Sequence, residues 1–326
     1  MLISWNVTKA CNLKCLHCYR DAGIIDKNEL DTSESIELIK EISSSGFKII
    51  IFSGGEPLLR KDIYHLISTS SELGIRAVLG TNGTLLDETT AYRLKKSGLS
   101  RVGISIDSIF PSIHDDFRQE KGAWKLSVNA MKACKEAGLE FQVHTTVTNF
   151  NYKDVEKITD FASEHGAKAH HIFFLVPTGR GKEIESSVLK QDDYNFLIIK
   201  ILEKQKSTNI ELKPVCAPQF LPLALEKEIK YRFTRGCLAG ISYCCILPNG
   251  DIHPCPYMPV KIGNVRENSF KKIWNESYLF QELRSLKYNG ICGRCQYNKL
   301  CGGCRARALI FSGNIMGEDP YCKILD

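Results

Sequence analysis

Apolar and polar positions follow two different periods along the first half of the chain. Short runs rich in Ile, Val and Phe are separated by longer stretches with the apolar spacing of amphipathic helices. Because short β-branched runs that alternate with amphipathic helices are typical of βα units, the pattern predicts a parallel sheet. Six strands are predicted, at residues 2–8, 48–54, 76–82, 101–107, 139–148 and 170–177.

The stretches between these runs predict helices, and several of them end in a glycine, as helices commonly do. They cover residues 33–44, 63–73, 124–137 and 152–165, and one more helix is predicted at 191–206. Six βα units are too few for a closed eight-stranded barrel. The fold class is therefore α/β, with an open, partial (β/α)6 TIM-like barrel whose reactive groups lie at the C-terminal ends of the strands.

The pattern loosens after residue 210, where Pro214, Pro218 and Pro222 predict a linker. The chain is divided into a barrel at 1–210, a linker at 211–236 and a small domain at 237–326. That last part is rich in turns and contains nine of the 14 cysteines. Since it has little periodic apolar sequence, its order is expected to come from bound metal rather than from a hydrophobic core.

Composition narrows the class of protein. The 326 residues are 43% hydrophobic, with no apolar run long enough to cross a bilayer, and the first residues do not resemble a secretory signal, so a cytoplasmic location and no membrane partner are expected. A net charge of +6 without a Lys/Arg block does not indicate nucleic acid. In a reducing compartment the cysteines are better explained as metal or cluster ligands than as disulfides.

Two motifs follow the first two predicted strands. Cys11, Cys15 and Cys18 form a CxxxCxxC run, and three such thiolates can hold three irons of a 4Fe-4S cluster and leave the fourth iron for a ligand. A zinc site, the alternative, needs a fourth ligand that only His17 offers nearby. The second motif is residues 54–57, Gly-Gly-Glu-Pro, where the glycines let the backbone approach a ligand and Glu56 can accept hydrogen bonds from an ammonium group.

Together these motifs resemble the radical S-adenosylmethionine (AdoMet) superfamily. The resemblance implies that a reduced cluster cleaves AdoMet to methionine and a 5'-deoxyadenosyl radical, which takes a hydrogen atom from the substrate. It also implies a reducing partner such as ferredoxin or flavodoxin, and it places His17 beside the cluster. The residues expected to contact AdoMet by this resemblance are Gly54, Gly55, Glu56 and Pro57 for the methionine part, Ser105 and Asp107 for the ribose, and Asn82 and Thr146 as further candidates.

The cysteines of the C-terminal third resemble the SPASM domain, which carries one or two auxiliary 4Fe-4S clusters. By that resemblance Cys237, Cys255 and Cys304 hold the first, with Cys244 or Cys245 as the fourth ligand, and Cys292, Cys295, Cys301 and Cys322 hold the second. Two residues separate Cys301 from Cys304, where the family usually has three. A zinc ribbon is the alternative, but its two pairs are separated by a dozen or more residues, and here five intervene. Cys134 is expected to be a core thiol, and Cys216 either faces the active site or packs.

Several further segments resemble the enzymes of alternative heme biosynthesis over nearly the whole chain. They include Cys216-Ala-Pro-Gln-Phe, Arg235-Gly-Cys, Gly263-Asn-Val-Arg-Glu and Glu318-Asp-Pro-Tyr-Cys. That group contains a didecarboxysiroheme deacetylase, an enzyme of heme d1 formation and a heme synthase that decarboxylates coproheme propionates. The residues 18–23, Cys-Tyr-Arg-Asp-Ala-Gly, and the compact length favour the first two, which remove acetate or propionate groups from a siroheme-derived tetrapyrrole.

Such a tetrapyrrole is flat, apolar and edged with carboxylates, which guanidinium groups pair with well. The arginines chosen by position as substrate candidates are Arg180, Arg235, Arg305 and Arg307. His170 or His171 could meet the substrate iron, or could be an ordinary polar residue of a strand.

Two rival functions are weighed against this one. Enzymes that modify ribosomal peptides often carry an N-terminal recognition domain, and the first strand here begins at Leu2, which disfavours them. A non-catalytic iron-sulfur electron carrier or zinc protein needs neither the Gly-Gly-Glu-Pro motif nor an iron with a free position.

Overall fold

A computed structural model describes residues 1–323, so residues 324–326 of the predicted small domain lie outside the described residues. The strands are β1 (Leu2–Asn6), β2 (Ile49–Ser53), β3 (Arg76–Thr81), β4 (Arg101–Ser105), β5 (Phe141–Val147), β6 (Ala169–Phe174), β7 (Glu211–Val215), β8 (Tyr243–Ile246), β9 (Asp251–His253) and β10 (Gly263–Asn264). All of them belong to one sheet, in the order β10-β9-β8-β1-β2-β3-β4-β5-β6-β7.

α-Helices connect and cover these strands. They are α1 (Thr32–Ser44), α2 (Ile63–Glu72), α3 (Glu88–Lys96), α4 (Pro111–Arg118), α5 (Ala123–Glu136), α6 (Val155–Glu164), α7 (Gln191–Gln205), α8 (Phe220–Glu226), α9 (Phe270–Glu276), α10 (Tyr278–Ser285), α11 (Gly290–Arg294) and α12 (Arg305–Ser312). Among residues 1–323, none of the helices combines the length and the apolar character that crossing a membrane requires.

The predicted partial barrel is confirmed. Each of the six predicted strands is present, and β1 to β7 pair in parallel with their neighbours in chain order. The described sheet ends at β7 on one side and β10 on the other, so the barrel stays open. The C-terminal ends of β1 to β7 therefore converge on one rim, where parallel α/β folds place their reactive groups.

The stretch predicted as a linker contains regular structure. Residues 211–215 form β7, which pairs in parallel with β6, and α8 follows a few residues later. Pro214 is compatible with β7 because this strand has a partner on one side only, and an edge strand tolerates the missing N–H of proline. The first of the three prolines, Pro214, therefore lies in an edge strand and not in a linker.

The C-terminal region extends the barrel sheet. β8 pairs in parallel with β1, and β9 and β10 add antiparallel strands beyond it. Ile246, Ile252 and Phe270 belong to the same apolar core as Ile3 and Phe52 of the barrel. The expectation that bound metal would replace a core in this region was therefore wrong. Its scattered apolar residues join the barrel core and also pack against one another, as the rings of Trp274 and Phe280 do with centroids 4.9 Å apart.

A buried ion pair ties the end of the chain to the barrel. Arg307 Nε lies 2.7 Å from Asp319 Oδ1, and the two side chains are 2% and 0% exposed. Asp319 also accepts hydrogen bonds from Gln219 Nε2 at 2.8 Å and from the Cys304 backbone N–H at 2.7 Å. Arg307 in turn donates to the Cys216 carbonyl at 2.9 Å. These bonds join α12 to the segment that follows β7.

Removing the acid of this buried ion pair should lower the unfolding free energy far more than removing the acid of an exposed ion pair. In Asp319→Ala the guanidinium of Arg307 stays buried without its partner, and the expected loss is about 3–5 kcal/mol of unfolding free energy. Anaerobic urea denaturation of the cluster-loaded protein measures it. The control is Glu37→Ala, which removes the exposed partner of Lys40 and should cost at most about 1 kcal/mol. Equal losses in the two variants would contradict this role of the buried pair.

Candidate active site

A cavity of about 380 Å³ occupies the inside of the open barrel. Thiols from both ends of the chain line it, Cys11, Cys15 and Cys18 on one side and Cys216, Cys237, Cys255 and Cys304 on the other. The β1–β8 pairing accounts for this meeting, since it holds the C-terminal region against the strand that leads into the first cysteine loop. The three N-terminal thiols therefore face the same space as Cys237, Cys255 and Cys304 of the first auxiliary group.

The first cysteine loop has the features of a cluster site. Backbone N–H groups of Leu13 and Ala22 donate to the Sγ atoms of Cys11 and Cys18, each at 3.4 Å, as N–H groups do toward cluster thiolates. Burial, and then the nearby charges of Glu56, Cys15 and Cys18, raise the pKa of Cys11 to about 11. Burial likewise raises the pKa of Cys15. Cationic iron would hold such thiols as thiolates, so this donor set fits a 4Fe-4S cluster.

His17 lines the same cavity. Its ring stacks on Phe117 with centroids 4.1 Å apart, and burial lowers its pKa to about 3, so the imidazole is neutral. His17 therefore lies in the lining of the cavity with the three N-terminal thiols, where the resemblance places it beside the cluster.

The glycine motif is clamped onto the cysteine loop. Gly55 N donates to the Thr8 carbonyl and Glu56 N to the Ala10 carbonyl, both at 2.8 Å. Gly54 has a φ of +144°, and a Cβ at Gly55 would lie only 2.1 Å from the Ala10 carbonyl oxygen. Only glycine permits this approach, and both glycines line the cavity.

Glu56 is turned away from the cavity, contrary to the contact expected for it. Its carboxylate is fully buried and accepts hydrogen bonds from Thr81 Oγ1 at 2.9 Å, from Asn82 N at 2.9 Å and from Leu58 N at 3.1 Å. Burial raises its pKa to about 7 even though these bonds favour the charged form. Glu56 thus holds the end of β3 against the glycine loop, and Pro57 behind it is also buried away from the cavity.

Asp107 likewise has a supporting position. It is fully buried, and its Oδ2 accepts from Arg118 Nε at 2.7 Å while its Oδ1 accepts from Thr146 N at 2.8 Å. Burial opposes its charge, but Arg118 outweighs that effect and lowers the pKa of Asp107. Ser105, Asn82 and Thr146 line the cavity, whereas Asp107 does not.

Arg118 is a site residue that the sequence reasoning missed. It lines the cavity, and its Nη1 lies 3.9 Å from the Sγ of Cys15. Burial would lower its pKa, but the Asp107 carboxylate outweighs burial and keeps the pKa above its usual value. No motif marks this arginine, because α4 brings it to the cysteine loop from 103 residues away.

The second set of thiols differs from the predicted one. Cys304 lies in a small apolar cluster that Cys216, Cys237 and Cys255 contact. A hydrogen bond with Cys304 is the largest cause that raises the pKa of Cys216. Cys216 directly follows β7 and has a φ of +61°, a left-handed conformation that is unusual for cysteine.

Neither cysteine predicted as the fourth ligand of this set lines the cavity. Both lie on β8, where successive side chains point to opposite faces. Cys244 belongs to the apolar core of the barrel. The Sγ of Cys245 accepts a hydrogen bond from Arg20 Nη2 at 3.3 Å and lies beside Asn6.

The remaining C-terminal thiols form a separate group. Cys292 and Cys322 both raise the pKa of Cys301, after burial and the Asp319 charge, so the three lie close together. Backbone N–H groups donate to the Sγ atoms of Cys292, Cys295 and Cys301, each at 3.4 Å. In residues 1–323 no group of three His, Cys, Asp or Glu side chains is arranged to hold a single metal ion. Ligands of a cubane bind different irons and stand further apart, which suits both groups.

The four candidate arginines have protein partners. Arg305 donates to the Ile315 carbonyl at 3.2 Å and stacks over the ring of Tyr288, and Arg307 is held by Asp319. Arg235 donates to the carbonyls of Cys237 and Asn298. Of the four, only Arg180 lines the cavity, where it donates to the Cys15 carbonyl at 3.1 Å and pairs with Asp21. The other three do not line the cavity. Arg235 and Arg305 are turned toward C-terminal carbonyls, and Arg307 toward Asp319, Tyr194 and the Cys216 carbonyl.

Of the two histidines considered for the substrate iron, only His171 lines the cavity. His170 is fully buried on the other face of β6 and shares hydrogen bonds with Thr145 and Thr159. Cys134 is buried in the apolar core, as predicted.

A methyl group at the clamped glycine should displace the first cysteine loop. Gly55→Ala would force the Cβ into the Ala10 carbonyl, and we expect it to lose iron from the N-terminal thiols, measured as iron and sulfide per chain after anaerobic reconstitution. The matched control is Gly23→Ala in the same loop, where nothing lies within 4 Å of the added carbon. Full iron content in Gly55→Ala would contradict the clamp.

Comparisons with known proteins agree with this arrangement. Residues 5–162 match the radical SAM superfamily, and residues 237–304 match SPASM, an iron-sulfur cluster-binding domain. SuiB of Streptococcus suis, bound to its precursor peptide SuiA, has a similar fold, with a TM-score of 0.79 at 19% identity over 99% of this chain and 76% of that one.

Several relatives that match nearly the whole chain have names from heme metabolism. An AdoMet-dependent heme synthase of Oleidesulfovibrio alaskensis is 39% identical over 98% of this chain and 86% of its own. An Fe-coproporphyrin III synthase of Methanosarcina barkeri is 33% identical over 98% and 87%, and a pre-heme d1 synthase of Dinoroseobacter shibae is 30% identical over 98% and 85%. The chain is therefore an enzyme of the radical SAM superfamily, which uses a 4Fe-4S cluster and AdoMet and carries a C-terminal SPASM iron-sulfur domain.

Proposed function

We propose that this enzyme acts in heme biosynthesis and decarboxylates propionate side chains of an iron tetrapyrrole. The observation that carries the proposal is the whole-length similarity to a heme synthase, at 39% identity over 98% of the chain. The cavity supports it, because apolar side chains and two groups of thiols surround a space in which, among residues 1–323, no Asp or Glu is exposed to a ligand. A flat, apolar molecule edged with carboxylates suits such walls.

In the proposed reaction one electron enters, to cleave AdoMet, and one electron leaves when the vinyl group forms. With cluster and AdoMet bound at Cys11, Cys15 and Cys18, the site would supply a 5'-deoxyadenosyl radical, at the cost of one electron from a donor such as ferredoxin or flavodoxin. A hydrogen atom passes from the propionate carbon next to the ring to that radical. Loss of CO2 and one electron then leaves a vinyl group, and the electron goes to a one-electron acceptor of the iron-sulfur type.

A second candidate is the removal of acetate or propionate groups from a siroheme-derived tetrapyrrole, which the sequence motifs favoured. The relative named pre-heme d1 synthase supports it, at 30% identity against 39% for the heme synthase. We place propionate decarboxylation first because of that difference.

Product masses distinguish these activities. The cluster-loaded protein is incubated anaerobically with AdoMet, dithionite and one tetrapyrrole at a time, either iron coproporphyrin III or didecarboxysiroheme. We expect iron coproporphyrin III to lose CO2 and two hydrogen atoms per propionate, with one 5'-deoxyadenosine formed per vinyl group. The measurement is mass spectrometry of both products.

Two results would change the proposal. Loss of acetate from didecarboxysiroheme alone would favour the second candidate. Formation of 5'-deoxyadenosine without any change in either tetrapyrrole would contradict both candidates and leave a peptide-modifying activity.

We also propose a revised set of ligands for the auxiliary clusters. The first is held by Cys216, Cys237, Cys255 and Cys304, and the second by Cys292, Cys295, Cys301 and Cys322. Two observations support the first set. Cys304 lies together with the other three thiols on one side of the cavity, and Cys244 and Cys245 do not line it. Four thiolates close the first auxiliary cluster, which then has no free iron for a substrate atom.

Removing the thiol of Cys216 should therefore affect one cluster only. We expect Cys216→Ala to lose up to about four irons and one component of the electron paramagnetic resonance signal of the reduced protein. Cys134→Ala, which removes a thiol buried in α5, is the control and should keep the wild-type iron content. A wild-type signal in Cys216→Ala together with a loss in Cys245→Ala would restore the assignment made from the sequence.

A further inference from the structure

A row of polar side chains crosses the inside of the barrel. His144 on β5 is in register with His171 on β6, which is in register with Lys213 on β7, and all three line the cavity. The alternate residues of these strands, such as Ile172 and Leu212, belong to the apolar core outside the sheet. The row therefore faces the lumen, on strands away from the β1 and β2 ends that carry the N-terminal thiols and the glycine motif.

Among residues 1–323, Lys213 is the cation of this cavity that has no acidic partner. Three cationic side chains line it in the described chain, and two of them have acidic partners: Arg118 pairs with Asp107 and Arg180 with Asp21. Lys213 has no hydrogen bond or ion pair within residues 1–323, and its Nζ lies 4.4 Å from the ring centroid of Phe233.

The acid nearest in sequence does not neutralise Lys213. Glu211 is two residues away on β7, and its carboxylate pairs with Arg232, with Arg232 Nε 2.5 Å from Glu211 Oε2. Burial lowers the pKa of Lys213, only partly offset by Glu211. An ammonium group withdrawn from water without a counter-ion is costly, so this position calls for an anion from outside the chain.

The two histidines add neutral donors beside the lysine. The Gln142 amide nitrogen lies 2.7 Å from His144 Nε2 and 3.2 Å from His171 Nδ1. When this amide donates to both rings, the hydrogens of the rings are on His144 Nδ1 and His171 Nε2. Burial lowers the pKa of His144 to about 4 and that of His171 well below its usual value, so both rings are neutral near pH 7.

The fold keeps the first of these rings in place. His144 stacks on His171 with centroids 5.3 Å apart and planes 10° apart, and Phe173 contacts it edge-on. Gly103 on β4 makes the room, since a Cβ there would lie 2.2 Å from the Cε1 of His144. One ammonium and two imidazole N–H groups thus border the same part of the cavity.

We infer that Lys213, with His144 and His171, binds one carboxylate of the substrate and so sets how a multiply carboxylated molecule lies in the barrel. The inference rests on the proposed function for the identity of that substrate, an iron tetrapyrrole with propionate side chains. A carboxylate matches the site because it accepts hydrogen bonds from several donors and carries the charge that Lys213 lacks.

Binding of an acid and of its ester tests the inference. The probes are iron coproporphyrin III, with four free carboxylates, and its tetramethyl ester, and the readout is equilibrium binding to the cluster-loaded protein by ultrafiltration. Lys213→Met should weaken binding of the acid about 10- to 100-fold, as expected for a lost charge-assisted contact, and should leave binding of the ester unchanged. Lys168→Met removes an exposed lysine just before β6 and should change neither.

A second variant covers the case in which Lys213→Met loses its clusters. His171→Phe keeps the ring and removes its N–H, and it should weaken binding of the acid about 5-fold with no effect on the ester. Iron content checks that each variant is loaded.

The outcomes separate this inference from the proposed function. Wild-type affinity for the acid in both loaded variants would overturn the inference alone. Equal losses for acid and ester would also overturn it, because they would indicate packing and not charge. Failure of the wild-type protein to bind iron coproporphyrin III while it still cleaves AdoMet would overturn the proposed substrate.

Discussion

The parallel pairing of β8 with β1 is the constraint on which the site depends. β1 leads directly into the loop of Cys11, Cys15 and Cys18, and β8 begins the C-terminal extension of the same sheet. The hairpin beyond β8 then carries the chain to Cys255, and α12 begins next to Cys304. Two groups of thiols from distant parts of the chain therefore share one cavity. β7 and α8 occupy much of the stretch between them that the sequence predicts as a linker.

Acidic and cationic side chains of the site lie at different depths. The acids are buried behind the wall of the cavity, whereas the cations line the cavity itself. Glu56 and Asp107 are fully buried, and their oxygens accept hydrogen bonds from backbone, hydroxyl and guanidinium donors. The cations that reach the cavity are Arg118 and Arg180, which pair with acids, and Lys213, which has no hydrogen bond or ion pair among residues 1–323. A cavity that is lined by cations and by no acid favours a ligand that carries carboxylates.

The sequence was sufficient for features that depend on local pattern. Six strands, their parallel order and the two short motifs follow from periodicity and spacing, because each is encoded within about ten residues. Contacts between distant segments were not predictable in this way. Nothing in the sequence near Cys216 shows that β7 brings it to Cys304. Nothing near Arg307 shows that its partner is Asp319, which lies beyond the end of α12. The prolines near 214 suggested a linker, since a proline in an edge strand looks the same in sequence as a proline in a loop.

The central claim is that one lumen, bordered by both groups of thiols, receives the substrate. An anaerobic crystal structure of the cluster-loaded enzyme with AdoMet and iron coproporphyrin III tests this most directly. The account predicts electron density for the tetrapyrrole inside the barrel, between the Gly54–Gly55 loop and the thiols around Cys304. A tetrapyrrole bound on the outer surface, with the lumen closed by side chains, would contradict it.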